Sequence, residues 1–185
     1  MTSSLQGQIA WITGGGSGIG LAGAIALVKA GAHVVISGRT ASTNASALAT
    51  LQALGSAEAI LLDVADKHAV KAAVQQILDR HGRVDILVTS AGTNATQRNF
   101  DVVTPEAWDD VVAINLSGLF YCVHAVLPAM RQQQSGLSIQ GVMTALDLQS
   151  LNRHQTLQAA LATHPGRCRA GRTGPGAGRT APPSG

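Results

Sequence analysis

Thr13-Gly14-Gly15-Gly16-Ser17-Gly18-Ile19-Gly20 lies between a short apolar run and a helical pattern, and that placement constrains the fold more than any other feature of the chain. Glycines at such a junction permit a tight turn and let other atoms approach the helix N-terminus closely. Residues 8–13 make the first expected strand, and the helix after Gly18 runs through Ile25 and Leu27 to a stop at Gly31. The pattern then repeats. Residues 33–37 read as a second strand, 41–54 as a helix ending at Gly55, and 59–62 as a third strand. A helix starting at Asp66 places Val70, Ala73, Val74, Ile77 and Leu78 on one face and ends at His81-Gly82, and 84–89 is a fourth strand. Alternation of this kind marks βαβ units, whose right-handed crossovers put helices on both faces of the sheet. The expected fold is α/β, a doubly wound parallel sheet (Rossmann-like).

Further on, Thr104-Pro105-Glu106 is a helix start with a capping hydroxyl, Pro at the first helical position and an acid at the positive end of the dipole. The pattern continues from Trp108 through Val112, Leu116, Leu119, Phe120 and Val123 to Leu127, apolar on more than one face. Such a helix needs the sheet on one side and another cover, expected to be a partner subunit, on the other. Residues 136–139 can start a fifth strand, and 142–151 have helical periodicity. From Pro165 to Gly185 Gly, Pro and Arg dominate, with no acid and no aromatic, so disorder is expected from about residue 163. The expected division is a Rossmann-like domain over 1–162 and a Gly/Pro/Arg-rich tail over 163–185.

The charge is unevenly placed. Residues 1–164 carry nine Lys and Arg against ten Asp and Glu, whereas 165–185 carry Arg167, Arg169, Arg172 and Arg179 and no acid. The body is near neutral, which argues against nucleic acid as a partner of the folded domain. No run of about 18 uninterrupted apolar residues suggests a membrane span, and Met1 to Gly7 lack a basic and an apolar signal region, so the expected location is cytoplasmic. Cys122 and Cys168 show no metal or disulfide spacing and read as free thiols.

Inside a βαβ unit the glycine turn points to a dinucleotide, NADP or NAD, with its pyrophosphate at the helix N-terminus; the alternative is a purely structural turn. After the second strand the chain reads Ser37-Gly38-Arg39. An acid there would bind a ribose 2′-hydroxyl, and a cation suits a 2′-phosphate, so Arg39 favours NADP unless it merely faces solvent.

With Thr13, Gly14, Gly18 and Gly20 in the pattern Thr-Gly-x-x-x-Gly-x-Gly, Asp63-Val64 after the third strand, Ala91-Gly92 after the fourth and Asn115 in the long helix, residues 5–135 resemble the short-chain dehydrogenase/reductase family. The resemblance implies hydride transfer between NADP(H) or NAD(H) and an alcohol or carbonyl compound, and homo-oligomers among intact relatives. It assigns Gly14, Ser17, Gly18, Ile19 and Gly20 to the pyrophosphate and nearby ribose, and Asp63 and Val64 to adenine. Ala91 and Gly92 fall to the ribose region. Asp63 as a helix cap is the plainer alternative. Where the family has Asn-Asn-Ala-Gly, this chain has Thr89-Ser90-Ala91-Gly92. Asn115 is the catalytic candidate: the resemblance implies that it distorts its helix and binds a water of the proton relay, the alternative being an amide bonded to a neighbouring backbone group.

The family's chemistry also uses a serine and a Tyr-x-x-x-Lys pair, in which the lysine lowers the tyrosine pKa. Here the single tyrosine is Tyr121 and the last lysine is Lys71, so that pair is absent from the 185 residues. Residues 141–152 resemble the helix that follows the catalytic lysine, and 135–139 the strand before the serine. Together they suggest a truncated or rearranged member with its C-terminal strands incomplete. The fourth strand, apolar on both faces, is then expected to be an open edge and the protein poorly soluble or partner-dependent. A non-catalytic nucleotide-binding or interaction module, or a defective gene product, is the alternative to an active enzyme.

Overall fold

A computed structural model of the chain describes residues 5–96, 99 and 101–140. The helix expected over 142–151 and the tail from 163, with Cys168, lie outside the described residues. Five parallel strands, β1 (Ile9–Thr13), β2 (His33–Gly38), β3 (Ala57–Leu61), β4 (Ile86–Thr89) and β5 (Leu137–Gln140), form one sheet in the order β3-β2-β1-β4-β5. Between them run α1 (Gly18–Lys29), α2 (Ala41–Gln52) and α3 (Lys67–His81). The last crossover contains α4 (Pro105–Val112), a π-helical turn (Ala113–Ser117) and α5 (Gly118–Gln132). The doubly wound, Rossmann-like sheet is therefore present.

Side-chain alternation along β1 builds both cores at once. Ile9 and Trp11 join Val70, Val74 and Ile77 of α3 and Cys122, Val126 and Met130 of α5 on one face. Ala10 and Ile12 join Leu27 and Val28 of α1 and Leu51 of α2 on the other. Because all five residues of β1 are buried, the strand reads as a continuous apolar run rather than a half-polar one. Trp11 keeps its indole N–H satisfied by donating to Ser37 Oγ on β2 at 3.1 Å.

One expectation needs correcting. β4 is not an open edge, because β5 pairs with it in register from Ile86↔Leu137 to Thr89↔Gln140. Within the described residues the edges are β3 and β5. The return to β5 is pinned where β4 begins: Gln133 Nε2 donates to the Val84 carbonyl at 3.1 Å, its Oε1 accepts from Val84 N–H at 3.3 Å, and Leu137 N–H donates to the Asp85 carbonyl at 2.8 Å. Asp85, itself buried, accepts from the Ile9 N–H at 2.9 Å and is held by Arg83 Nε at 2.8 Å. Smaller differences concern ends: the third strand starts at Ala57, and the second helix stops at Gln52.

Helical backbone runs unbroken from Pro105 to Gln132, 28 residues with a mean hydropathy of 1.7, long and apolar enough by length and composition to cross a membrane. Its apolar content is divided between two environments. Cys122, Val126 and Met130 are packed in the core, while Trp108, Leu116 and Phe120 face outward.

Two expected outcomes follow from this packing. Burial pushes the Cys122 thiol pKa up to about 12, and only the thiolate is nucleophilic. Iodoacetamide at pH 8 should leave the Cys122 peptide unmodified in the native protein and alkylate it in denaturant, read by peptide mass spectrometry. Asp85→Ala removes the acceptor of a buried N–H and should cost roughly 1–3 kcal/mol. Urea unfolding should show this as a lower midpoint with an unchanged slope.

Candidate dinucleotide site

Parallel strands deliver their C-terminal ends to one side of the sheet, and the chain leaves β1 and β4 in opposite directions. The crevice at that divergence is where open α/β sheets take ligands. The exit from β1 is the glycine turn. Its first glycine, Gly14, has φ +68°, and a Cβ there would come within 2.7 Å of the Ala91 backbone and 2.8 Å of the Ser90 carbonyl carbon. A Cβ on Gly20 would collide with the Gly14 carbonyl oxygen, so the first turn of α1 folds back onto the strand exit. Gly18 differs from both: it has φ +53°, is exposed, and a Cβ would meet nothing within 4 Å. Space therefore remains on the outer side of the turn.

Four N–H groups at a helix start have no partner within the helix. Ser17, the N-cap of α1, makes no side-chain capping bond, and the first turn contains no acid. The donors of this 12-residue helix, with Ser17 and Gly18 exposed and Ile19 half-buried beside them, are thus available to an anion.

Arg39 and Asp63 are brought together across the strand ends. Both are exposed and line a cleft of about 310 Å³ that also includes Thr93, Asn94, Asp110 and Ile114. The ion pairs among the described residues use Arg80 and Arg83, not Arg39. Asp63 is not the cap of α3. That position belongs to Asp66, whose Oδ1 accepts from the His68 and Ala69 N–H groups at 2.8 and 3.1 Å and whose carboxyl is held below its ordinary pKa by them. Among the described residues the Asp63 carboxylate accepts from Ala65 N–H alone, at 2.9 Å, and its carbonyl accepts from Asp66 N–H at 3.2 Å, both in a local turn. Val64 is buried against Gly118, where a Cβ would lie 2.7 Å from Val64 Cγ2. The glycine turn itself does not line this cleft; it sits at the neighbouring strand exit.

Ala91 N–H donates to Thr13 Oγ1 at 3.3 Å and Ser90 N–H to the Thr13 carbonyl at 3.1 Å, which ties the loop after β4 to β1. Gly92 follows, exposed and 3.5 Å in Cβ distance from Asn115 Oδ1. Asn115 lies within the π-helical turn. Both ends of its amide bond one residue: Oδ1 accepts from Thr93 N–H and Nδ2 donates to the Thr93 carbonyl, both at 2.8 Å. The helix is distorted at Asn115, as expected, and the half-buried side chain bonds the Thr93 backbone.

Three residues that shape this region escaped the sequence reading. Asn44, buried at the start of α2, donates to the Gly38 carbonyl at 3.0 Å and approaches the Ile60 carbonyl at 3.4 Å, fixing the ends of β2 and β3 under the cleft. Thr93 supplies the backbone partner of Asn115, and Gly118 admits Val64. α2 is rich in Ser and Thr, so Asn44 does not stand out in the sequence, and all three residues depend on contacts between separate segments.

Residues 8–144 match the family model described as short chain dehydrogenase. A Streptomyces virginiae protein assigned by name to the ketoacyl reductase of a monensin polyketide synthase is 41% identical over 151 residues, 78% of this chain and 56% of its own length. The 3-oxoacyl-acyl-carrier-protein reductase of rhamnolipid biosynthesis from Pseudomonas aeruginosa is 35% identical over 134 residues, 71% of this chain and 51% of its own. Among solved structures, a metagenomic short-chain oxidoreductase in complex with NADP superposes with a TM-score of 0.71 at 34% identity, over 75% of this chain and 63% of that one. The chain spans just over half the length of the curated relatives it matches. With a family model covering most of its residues and the glycine turn, sheet order and π-helical turn in place, this chain belongs to the short-chain dehydrogenase family.

Proposed function

We propose that this chain is the dinucleotide-binding portion of a short-chain dehydrogenase/reductase-type oxidoreductase, holding NADP(H) in preference to NAD(H). The observation that carries this reading is the uncapped start of α1 beside the exposed Gly18, at the strand exit where β1 and β4 diverge. The backbone from Gly14 to Gly20 would hold the pyrophosphate, with Ser17 and Ile19 near the adjoining ribose. Arg39 would meet a 2′-phosphate, Asp63 and Val64 the adenine, and Ala91 and Gly92 the ribose region. The bound nicotinamide supplies or accepts the hydride exchanged with an alcohol or carbonyl compound.

What this chain's own residues contribute to chemistry is smaller. Asn115 holds the loop after β4 through Thr93. No Tyr-x-x-x-Lys pair is present to move a proton at the substrate oxygen. Loss of such general acid–base help costs on the order of 10² to 10⁴ in rate. The second reading, a nucleotide-binding module without turnover, is favoured by the outward-facing Trp108, Leu116 and Phe120, a surface that a second copy would cover.

NADPH fluorescence titration of the purified chain, run beside a carbonyl-reduction assay, tests both readings. Saturable NADPH binding with turnover depressed by at least about a hundredfold against a full-length relative is expected. Normal turnover would refute the assignment of the missing proton donor, and no binding by folded protein would refute the site. Arg39→Ala should weaken NADPH binding about tenfold and leave NADH binding within twofold, as loss of one charge-assisted contact to a phosphate predicts. Gly14→Val should abolish binding of both, because its side chain enters the space of the Ala91 backbone.

A further inference from the structure

At the opposite end of the strands, away from the cleft, three ligand-type side chains converge from three elements. His33 opens β2, Glu58 lies in β3, and His81 ends α3 just before Gly82, whose φ of +73° closes the helix. One ligand atom from each lies within 4.8 Å of the others. His81 Nε2 is 2.9 Å from Glu58 Oε1, and His33 Nε2 is 4.0 Å from the same oxygen. The imidazoles are stacked at a tilt, with centroids 4.4 Å apart.

Two features distinguish this cluster from an ordinary hydrogen-bonded patch. His33 Nε2 is buried and has no hydrogen-bond partner, which is costly for a polar atom. His33 Nδ1 sits 2.6 Å from Ser56 Oγ. With the proton on Nδ1 and donated to Ser56, Nε2 presents a bare lone pair toward Glu58 Oε1. An outer hydrogen bond of this kind fixes the tautomer of a metal-bound histidine. Arg80 holds the other carboxylate oxygen, Oε2, at 2.6 Å, which leaves Oε1 turned to the histidines.

We propose that His33 Nε2, Glu58 Oε1 and His81 Nε2 form a binding site for a divalent transition metal of the zinc class. Two imidazoles and one carboxylate suit such an ion, and three protein ligands leave a fourth position for water. Ligand bonds of about 2.0–2.2 Å require donor atoms roughly 3.3–3.6 Å apart in a tetrahedron. The present spacings bracket that range, so modest side-chain rotation closes the site. A metal there clamps β2, β3 and the end of α3 together, at the far end of the sheet from the dinucleotide crevice. The site does not depend on the dinucleotide reading.

Cobalt(II) serves as the spectroscopic probe, titrated into the full chain and competed with zinc. One equivalent should bind with visible d–d absorption, zinc should displace it, and zinc should raise the melting temperature. His33→Gln and His81→Gln should each weaken binding at least tenfold, whereas His68→Gln and the double variant His154→Gln/His164→Gln should not. Folded wild-type protein that shows no cobalt binding overturns the proposal, as does unchanged affinity in the folded His33 and His81 variants. Should those variants fail to fold, Ser56→Ala decides, since it removes only the outer partner of His33. It should lower affinity about tenfold, and an unchanged affinity overturns the site.

Discussion

The contact on which the site depends is backbone against backbone: Gly14, leaving β1, packs on Ser90 and Ala91, leaving β4, with no room for a methyl group between them. β1 and β4 are neighbours in the sheet but are followed by helices on opposite faces. Their exits must separate while their last residues stay paired, Thr13 against Thr89. Thr13 manages the separation by accepting two bonds from the loop after β4, one at its carbonyl from Ser90 N–H and one at its hydroxyl oxygen from Ala91 N–H. Once that junction is set, α1 starts directly beside it, and Gly20 lets the helix return under the Gly14 carbonyl. A free helix terminus at the head of a fully buried strand is the outcome, and the anion site proposed there would be a consequence of the packing rather than an addition to it.

The elements up to β4 were legible because period and burial agree there. α3 shows a single apolar face that becomes its buried face, and β1 shows an unbroken apolar run because both of its sides are covered. β5 was harder. Four residues with Ser138 and Gln140 among them carry little strand signal. Their pairing is secured instead by Gln133 and Asp85, which reach across about fifty residues of chain. The need for β5 was nevertheless visible in β4: a strand apolar on both faces requires a neighbour, and inferring an open edge gave too much weight to the ambiguity of the segment that follows.

The site shows the same division between local and distant information. The roles proposed for the glycines and Arg39 rest on backbone conformation and charge, properties that a linear pattern reports directly. Asn115 also stood out, as an amide in an apolar helix. The identity of its partner did not, because Thr93 reaches it only after the chain has left β4 and come back through α4. Likewise Asp63 and Asp66 both resemble caps in sequence, and the start of α3 is what separates them: Asp66 is close enough to serve two helix N–H groups, and Asp63 is left beside Arg39 on the cleft.

The two ends of the sheet are therefore held by different physics. At the C-terminal ends, glycine turns and loop-to-loop backbone bonds leave N–H groups and Arg39 exposed to a ligand. At the N-terminal ends, the strands are tied by side chains: Asp85 to Ile9, and Glu58 to His81 and Arg80. Rigidity at the second end matters for the first, because a parallel strand transmits a shift along its length to the loop that follows it. Of the four strands meeting the crevice, β2 is tied to the start of β3 by His33 and Ser56, β3 to the end of α3 by Glu58 and His81, and β1 to β4 by Asp85. The loops that carry Arg39, Asp63, Gly14 and Ala91 thus rise from strands whose feet are cross-linked, an arrangement that holds a binding surface in shape independently of whether a proton donor stands above it.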